Sequence, residues 1–242
     1  MCCDALVCGG RHVMIGVYRF SGTGHAAAVA DFLGEQLGVP VTDISELPVG
    51  QMVTVPTAVV VFPVYCQNIP QPVAAFLQRM QTDWLVPVAV YGGFGSGHVL
   101  HDAAHLSKCR VSAAAIVPAG HTLLHEEVSF DRAALLPLVE KIRCPHPIAL
   151  PRERKNPMAD VFPAWRSRIG VRMHRGNVCH YCGRCEAVCP CGAIHTGHIN
   201  SRCMRCMKCV AVCPAHALQF RCGRLVSLYL KLPRKTAVKV YC

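Results

Sequence analysis

Two cysteine-rich segments stand out in this 242-residue sequence. The first, CHYCGRCEAVCP, runs from Cys179 to Pro190, and the second, CMRCMKCVAVCP, runs from Cys203 to Pro214. Both have the spacing C-x2-C-x2-C-x3-C-P, and a constant offset of 24 residues relates them. The total of 17 cysteines is odd, so they cannot all pair as disulfides within one chain. Clustered cysteines in a reducing compartment indicate metal ligation instead.

The spacing is the one that binds iron–sulfur clusters in two-cluster bacterial ferredoxins. Three cysteines on a tight loop reach three irons of a cubane, and the fourth, beyond the loop, turns away to the other cluster. We therefore predict two 4Fe-4S clusters: cluster I is bound by Cys179, Cys182, Cys185 and Cys213, and cluster II by Cys203, Cys206, Cys209 and Cys189. The alternative is a pair of structural zinc sites, which would not need the third cysteine or the crossed fourth. Cys191 is interpreted as a bystander that could replace Cys189.

Charge divides the chain into two parts. Residues 1–150 hold 8 Lys and Arg against 11 Asp and Glu, a net charge of −3, whereas residues 151–242 hold 17 against 3, a net charge of +14. This asymmetry predicts two modules, the second of which docks an acidic redox partner by electrostatic attraction. Nucleic acid is the alternative partner. No recognised nucleic-acid motif accompanies the basic residues, and few aromatic residues lie among them, so we expect no nucleic-acid binding.

A second candidate site is a loop of serine, threonine and glycine at residues 21–24. It follows an apolar, strand-like segment and leads directly into a helical pattern. Such a loop presents backbone N–H groups and hydroxyls to a phosphate, and the helix dipole adds to the attraction. The loop lacks the Gly-Lys-Ser/Thr ending of a P-loop, so we do not expect ATP or GTP. The alternative is a glycine turn with a purely structural role.

The elements that would position these sites follow from periodicity. Strand patterns cover residues 12–20, 39–44, 56–65, 85–91 and 111–120, and helical patterns cover 24–38, 70–80, 98–109 and 131–143. Five strands that alternate with helices predict an α/β domain with a doubly wound parallel sheet. The predicted divisions are this domain at 1–145, a basic proline-rich linker at 146–176, the cysteine-repeat domain at 177–222 and a basic tail at 223–242. The linker is interpreted as a solvated connector, and a helix packed between the modules is the alternative.

Several of these segments resemble a known family. The loop at 21–24 is similar to the flavodoxin loop that holds the FMN phosphate. FPVYCQNIPQP at 62–72 and YGGFGSG at 91–97 resemble the second and third flavin-contacting loops. Followed by the two cysteine repeats, they make nearly the whole chain similar to the ferredoxin–flavodoxin fusion proteins of anaerobic microbes.

The resemblance implies a flavodoxin-like five-stranded sheet, a small α+β bacterial ferredoxin-like domain, and FMN as a cofactor beside the two clusters. It implies that Tyr65 is available to stack on the isoalloxazine. The implied FMN contacts are Ser21, Gly22, Thr23, Gly24, His25, Ala26, Pro63, Val64, Tyr65, Cys66, Gln67, Asn68, Gly92, Gly93, Phe94 and Gly95. Flavodoxin loops usually continue with Asn and then Thr, where this chain has His25 and Ala26. A hydroxyl is therefore missing, and His25 would supply a donor instead.

Clusters and flavin together predict an electron-transfer protein, because clusters pass one electron at a time and a flavin holds one or two. One alternative is a flavin-dependent reductase fed by its own ferredoxin domain, and another is a ferredoxin module with a flavin-free docking domain. No paired carboxylates or Cys/His/Asp triad stand out, so no catalytic residue is predicted. No apolar run approaches the roughly 20 residues of a membrane helix, and the N-terminus lacks a secretory signal pattern, so we expect a cytoplasmic protein.

Overall fold

The computed structural model describes residues 7–8, 11–12, 14–48, 50–151, 156, 159 and 163–242. It is a mixed α/β fold built on a mostly parallel sheet. The strands of the N-terminal part are β1 (Val7–Cys8), β2 (Arg11–His12), β3 (Ile15–Arg19), β4 (Val41–Asp43), β5 (Thr57–Pro63), β6 (Trp84–Tyr91), β7 (Arg110–Val111) and β8 (Ala114–Pro118). Five of them lie side by side and parallel in the order β4-β3-β5-β6-β8, while β1 and β2 form a separate antiparallel pair.

Helices cover both faces of this sheet. They are α1 (His25–Leu37), α2 (Gln71–Arg79), α3 (Val99–Ser107) and α4 (Leu136–Arg143). Side chains of α1 and α4 pack in one buried cluster with Val59 and Val61 of β5. Side chains of α2 and α3 pack in a second cluster with Val60 and Phe62. The central strand β5 is apolar along its length because alternate residues enter the two cores.

The C-terminal part holds the cysteine repeats. Its elements are α5 (Pro163–Gly170), β9 (Val171–Arg175), α6 (Arg184–Ala187), β10 (Ile194–His195), β11 (His198–Ile199), α7 (Lys208–Ala211), β12 (Leu218–Cys222), α8 (Arg224–Tyr229) and β13 (Lys239–Tyr241). Strands β9 and β12 pair antiparallel, as do β10 and β11. A small core, which includes Ile194, Cys209 and Leu218, lies between the repeats.

The two repeats fold alike. Helices α6 and α7 occupy equivalent positions, 24 residues apart. Left-handed backbone recurs with the same offset, at Gly183 and Met207 and again at Gly192 and His216. Glycine adopts this conformation freely, whereas Met207 and His216 hold it against the steric cost of a β-carbon. The second repeat therefore keeps the loop geometry of the first without its glycines.

The sheet differs from the predicted five strands because it has seven. Strand β7 pairs with β6, and β13 adds antiparallel to β8. Residues 239–241 belong to the segment that the sequence analysis separated as a tail. Val238 and Val240 pack against the core cluster of α1 and α4, and this burial holds the segment on the sheet. Basic residues alternate with the apolar ones in this segment, so the sequence pattern did not indicate a strand.

Strand β9 lies in the segment predicted as a linker. Val171 is buried and Met173 packs on the small core, while Arg172 is exposed. The alternation places apolar side chains toward the cysteine repeats and basic ones toward solvent. The helical pattern noted as an alternative for the linker corresponds to α5, although residues 152–155, 157–158 and 160–162 lie outside the described residues. Over the described ranges, none of the helices combines the length and apolar character that crossing a membrane requires.

Candidate functional site

Cysteines of both repeats line each of two cavities in the C-terminal part. The outer cavity is lined by Cys179, Cys182, Cys185 and Cys213. The inner cavity is lined by Cys189, Cys203, Cys206 and Cys209, and also by Cys191. In each cavity, three of the predicted cluster ligands come from one repeat and the fourth comes from the other. This is the grouping that crossed ligation of two clusters requires.

Backbone hydrogen bonds orient the fourth cysteine of each set. The N–H of Ala193 donates to Sγ of Cys189 at 3.2 Å, and the N–H of Ala217 donates to Sγ of Cys213 at 3.3 Å. N–H bonds to sulfur favour the thiolate that ligates iron. Within the described ranges, no three His, Cys, Asp or Glu side chains gather as closely as one metal ion requires. A cubane spreads four thiolates around four irons, and the donor set of each cavity fits it.

Burial disfavours the charged, thiolate form of the cysteines in the inner cavity. Burial, followed by neighbouring thiolates, raises the pKa of Cys209 to about 12. Burial is also the main reason that the pKa of Cys206 rises to about 11. Both thiols keep their protons at neutral pH in the metal-free protein, so metal binding must release them. Burial raises the pKa of Cys213 as well, but backbone N–H groups, first that of Leu218, outweigh it and leave the pKa lowered.

The inner cavity faces the N-terminal domain. The carbonyl of Cys206 lies against Gly22, where a β-carbon would overlap its oxygen. Met204 packs on the core cluster of α2 and α3, and Nζ of Lys208 donates to Oγ of Ser45 at 2.9 Å. The cysteine loop at 203–209 therefore sits on the loop that opens α1.

The start of α1 fits an anion. Gly24 precedes the helix with a φ of 94°, and the helix has no side-chain cap. Apart from the two chain neighbours of Gly24, no described residue has an atom within 4 Å of the place where Gly24 would carry a β-carbon. The first N–H groups of any helix lack intrahelical partners, and in α1 these belong to His25, Ala26 and the residue after it. Oγ of Ser21 accepts the N–H of Gly24 at 3.1 Å and keeps its own proton to donate.

His25 is tied to the loop after β8. Its Nε2 lies 3.2 Å from the carbonyl oxygen of Glu126, which can only accept, so Nε2 carries a proton. In the neutral ring, Nδ1 then accepts from the hydroxyl of Thr23 at 3.1 Å. The Thr23 oxygen in turn accepts from Thr122 at 2.7 Å. When His25 is neutral, the Thr23 hydroxyl therefore donates and accepts its hydrogen bonds within the protein.

The second predicted loop follows β5. Pro63 ends that strand, and Val64 donates its N–H to the carbonyl of Val90 at 2.8 Å. Tyr65 and Asn68 then exchange backbone hydrogen bonds at 3.1 and 3.0 Å.

Between them, Cys66 and Gln67 have φ values of 51° and 64°, which makes the loop a tight turn with both central residues left-handed. The Asn68 amide donates to the carbonyls of Cys66 and Ala159, both at 3.0 Å. Gln67 accepts the N–H of Asn156 at 2.9 Å. The predicted linker therefore touches this loop.

Tyr65 lies between the two domains. A β-carbon at Gly22 would come within 2.7 Å of the Tyr65 hydroxyl. Burial raises the pKa of Tyr65 well above its usual range, and the nearby Cys206 thiolate adds to the effect. The phenol is therefore neutral and fills the space between the loop at 21–24 and the inner cysteine loop.

The third predicted loop follows β6 and contacts the C-terminal segment. The ring of Phe94 lies 4.7 Å from that of Tyr229, measured between centroids, and 5.3 Å from that of His121. Gly93 accepts the N–H of Lys235 at 2.7 Å. A flavin ring against Phe94 would have to replace the Tyr229 contact.

Glycine positions in the third loop show how closely its neighbours approach. A β-carbon at Gly92 would overlap the His121 ring, and one at Gly95 would lie 3.2 Å from the Gln67 amide. Burial lowers the pKa of His121, which keeps this ring neutral beside the loop.

The structure brings all three predicted loops to the carboxyl edge of the sheet, at the ends of β3, β5 and β6. The start of α1 fits the phosphate end of FMN. The second and third loops, which would contact the flavin ring, are in contact with other parts of the protein. The sequence analysis did not predict that His121, Thr122 and Tyr229 contact residues of these loops. The first two follow β8, and the rule that ligands bind at the carboxyl ends of parallel strands could have indicated them. Nothing local marks Tyr229, which arrives from the C-terminal segment.

Comparison with known proteins identifies the second cysteine repeat. Residues 198–219 match the family model of the 4Fe-4S binding domain. No curated protein matches the chain. A candidate flavoprotein from Bacteroides uniformis ATCC 8492 is similar with 14% identity and a TM-score of 0.33, over 38% of this chain and 80% of that one. A candidate flavoprotein from Bacteroides eggerthii DSM 20697 is similar with 15% identity and a TM-score of 0.41, over 54% of this chain and 98% of that one. Residues 198–219 are thus similar to 4Fe-4S binding domains.

Proposed function

We propose that this chain is an electron-transfer protein that binds two 4Fe-4S clusters and FMN. The observation that carries the proposal is the pair of cavities that bring together cysteines of both repeats, the inner of which lies against the loop that opens α1. The strand order supports the flavin part. Numbered along the chain, the five parallel strands have the order 2-1-3-4-5, which is the flavodoxin-like order with FMN bound between strands 1 and 3.

The residues that would hold each group follow from the two sites. The eight repeat cysteines would ligate the clusters, four in each cavity. Ser21 and the first N–H groups of α1 would hold the FMN phosphate. Clusters exchange single electrons and a flavin accepts one or two, so the bound groups would connect one-electron carriers to a two-electron acceptor. Tyr65 packs where the two loops meet.

A flavin-free N-terminal domain is the second candidate. It is favoured by the contacts of Phe94 with Tyr229 and of Gly93 with Lys235, which cover the third loop. In that case the N-terminal domain would dock another molecule, and the cysteine repeats would act as a ferredoxin.

Flavin and iron content of the anaerobically purified protein tests the proposal. We expect about one FMN for roughly eight irons. A Thr23→Asp variant places a carboxylate beside the phosphate position, so it should lose flavin and keep its iron, which serves as the internal control. About eight irons without flavin, even after incubation with FMN, would eliminate the flavin relay and leave the second candidate.

A further inference from the structure

Two exposed side chains, one apolar and one aromatic, lie beside the cysteines of the outer cavity. Val178 is 58% exposed and Tyr181 is 64% exposed, although large apolar side chains usually gain from burial. They flank Cys179, and Cys182 is itself exposed. The protein therefore presents an apolar surface directly at one of its two cysteine sites.

The two cavities differ in what surrounds them. Every described residue that lines the outer cavity lies between residues 175 and 218, so the described part of the N-terminal domain does not contribute to it. The cysteine loop of the inner cavity instead contacts Gly22, and Met204 packs against the core of the N-terminal domain. A second protein can therefore approach the outer cysteine set without displacing the N-terminal domain.

Positive charge surrounds the exposed side chains. The guanidinium of Arg175 lies 4.6 Å above the Tyr181 ring and donates to the carbonyl of Thr196 at 2.9 Å, which holds it in place. Arg184 is exposed and lines the same cavity. The nearby carboxylate of Glu186 lies 3.7 Å from His195. No acidic residue occurs from 187 to 242, so the wider field is also positive.

We propose that Val178, Tyr181, Cys182 and Arg184, here called the outer patch, form the docking site of an acidic one-electron carrier protein. This inference rests on the proposed function, because it takes the outer cysteines to hold a cluster. An iron–sulfur cluster held by Cys179, Cys182, Cys185 and Cys213 would accept one electron from the reduced carrier, and the carrier would be oxidised by one electron with no bond made or broken. Positive charge steers the carrier, and the apolar centre gives close contact after water leaves. The position of the patch at a redox site favours a redox protein over nucleic acid or lipid.

The test compares two charge reversals of equal size. Arg184→Glu changes the outer patch, and Lys231→Glu changes an exposed position beyond α8 that lines neither cavity. The probe is a purified acidic bacterial ferredoxin, reduced before mixing. The readouts are the Kd by anaerobic calorimetry and the second-order rate of probe oxidation at low and high salt. We expect Arg184→Glu to weaken binding and slow oxidation by about tenfold at low salt, and Lys231→Glu to change both by less than about twofold.

A third variant separates contact from steering. Tyr181→Ala removes apolar area without changing charge, so we expect its Kd to rise at both salt concentrations, since salt does not screen apolar contact. Equal effects of Arg184→Glu and Lys231→Glu would show long-range steering only and would overturn the docking site. Unchanged binding in Arg184→Glu and Tyr181→Ala would also overturn it, as would Arg184-dependent binding of duplex DNA or anionic vesicles without binding of the ferredoxin.

Iron content separates failure of this inference from failure of the proposed function. A wild-type protein without iron would refute the clusters, whereas the Kd comparison would still show whether the outer patch binds the probe. Wild-type iron in all three variants, together with reduction of each by dithionite, would assign any loss of rate to docking.

Discussion

The fourth cysteine of the inner cavity can be identified with two single substitutions. Cys189 and Cys191 both line this cavity, two residues apart. Cys189 accepts the N–H of Ala193, as its equivalent in the second repeat accepts the N–H of Ala217. The position equivalent to Cys191 is Ala215, which cannot ligate iron. The repeat symmetry and the hydrogen bond therefore both select Cys189.

The expected magnitude follows from the grouping of the cysteines. Cys189→Ser leaves three thiolates in the inner set and all four in the outer set, so iron should fall from about eight to about four per chain. Cys191→Ser should leave it at about eight. The assay is iron released by acid from anaerobically purified protein, measured beside acid-labile sulfide, which should change in the same ratio.

Two results would contradict this reasoning, and a third would require a double variant. Loss of half of the iron in Cys191→Ser, but not in Cys189→Ser, would show that the wrong cysteine was chosen. Loss of all iron in Cys189→Ser would show that the two sets do not load independently. Retention of about eight irons in Cys189→Ser is compatible with crossed ligation only if Cys191 replaces the lost thiolate, and the double variant should then drop to about four.

Gly22→Ala puts a β-carbon on the Cys206 carbonyl, and we expect it to lower the free energy of unfolding by about 1–3 kcal/mol, measured by denaturant titration. Metal-free protein should lose stability as the pH rises above about 9, measured in the same way at increasing pH. The folded state keeps the protons of Cys206 and Cys209, whose pKa values are raised to about 11 and 12, while the unfolded state releases them. The free energy of unfolding should fall by no more than about 1.4 kcal/mol per pH unit for each thiol. Arg234→Ala removes an ion pair whose side chains are 33% and 31% exposed, so denaturant titration should show a loss of no more than about 1 kcal/mol.

Each of these predictions has a control. Gly176→Ala meets its nearest atom at 3.7 Å, an ordinary contact, and equal destabilisation in both glycine variants would argue against the Cys206 contact. Protein loaded with iron should not show the alkaline loss, because its thiols are already deprotonated. The same loss in loaded protein would exclude Cys206 and Cys209 as its source. A fall of several kcal/mol in the free energy of unfolding of Arg234→Ala would contradict the small contribution expected of a partly exposed ion pair.

Local patterns predicted much of the fold. The five central parallel strands and the four helices of the N-terminal part lie within a few residues of the predicted spans, because apolar periodicity reflects which faces are buried. Other strands were not predicted, among them β7, β9 and β13. Strand β7 has only two residues, and β9 and β13 alternate basic with apolar residues, so their patterns resemble a solvated connector. Their pairing depends on partners that are distant in the chain.

The cysteine spacing by itself predicted the crossed grouping of the cysteines that line both cavities, because the fourth cysteine of each repeat lies beyond the tight loop that holds the other three. Only the tertiary structure decided which cavity faces inward. The two repeats share their spacing and their backbone turns, so these features do not distinguish them. The difference arises from long-range packing, in which Met204 packs against the N-terminal core and Cys206 meets Gly22, while Tyr181 remains exposed. The direction in which the molecule presents its two sites is therefore a property of domain packing.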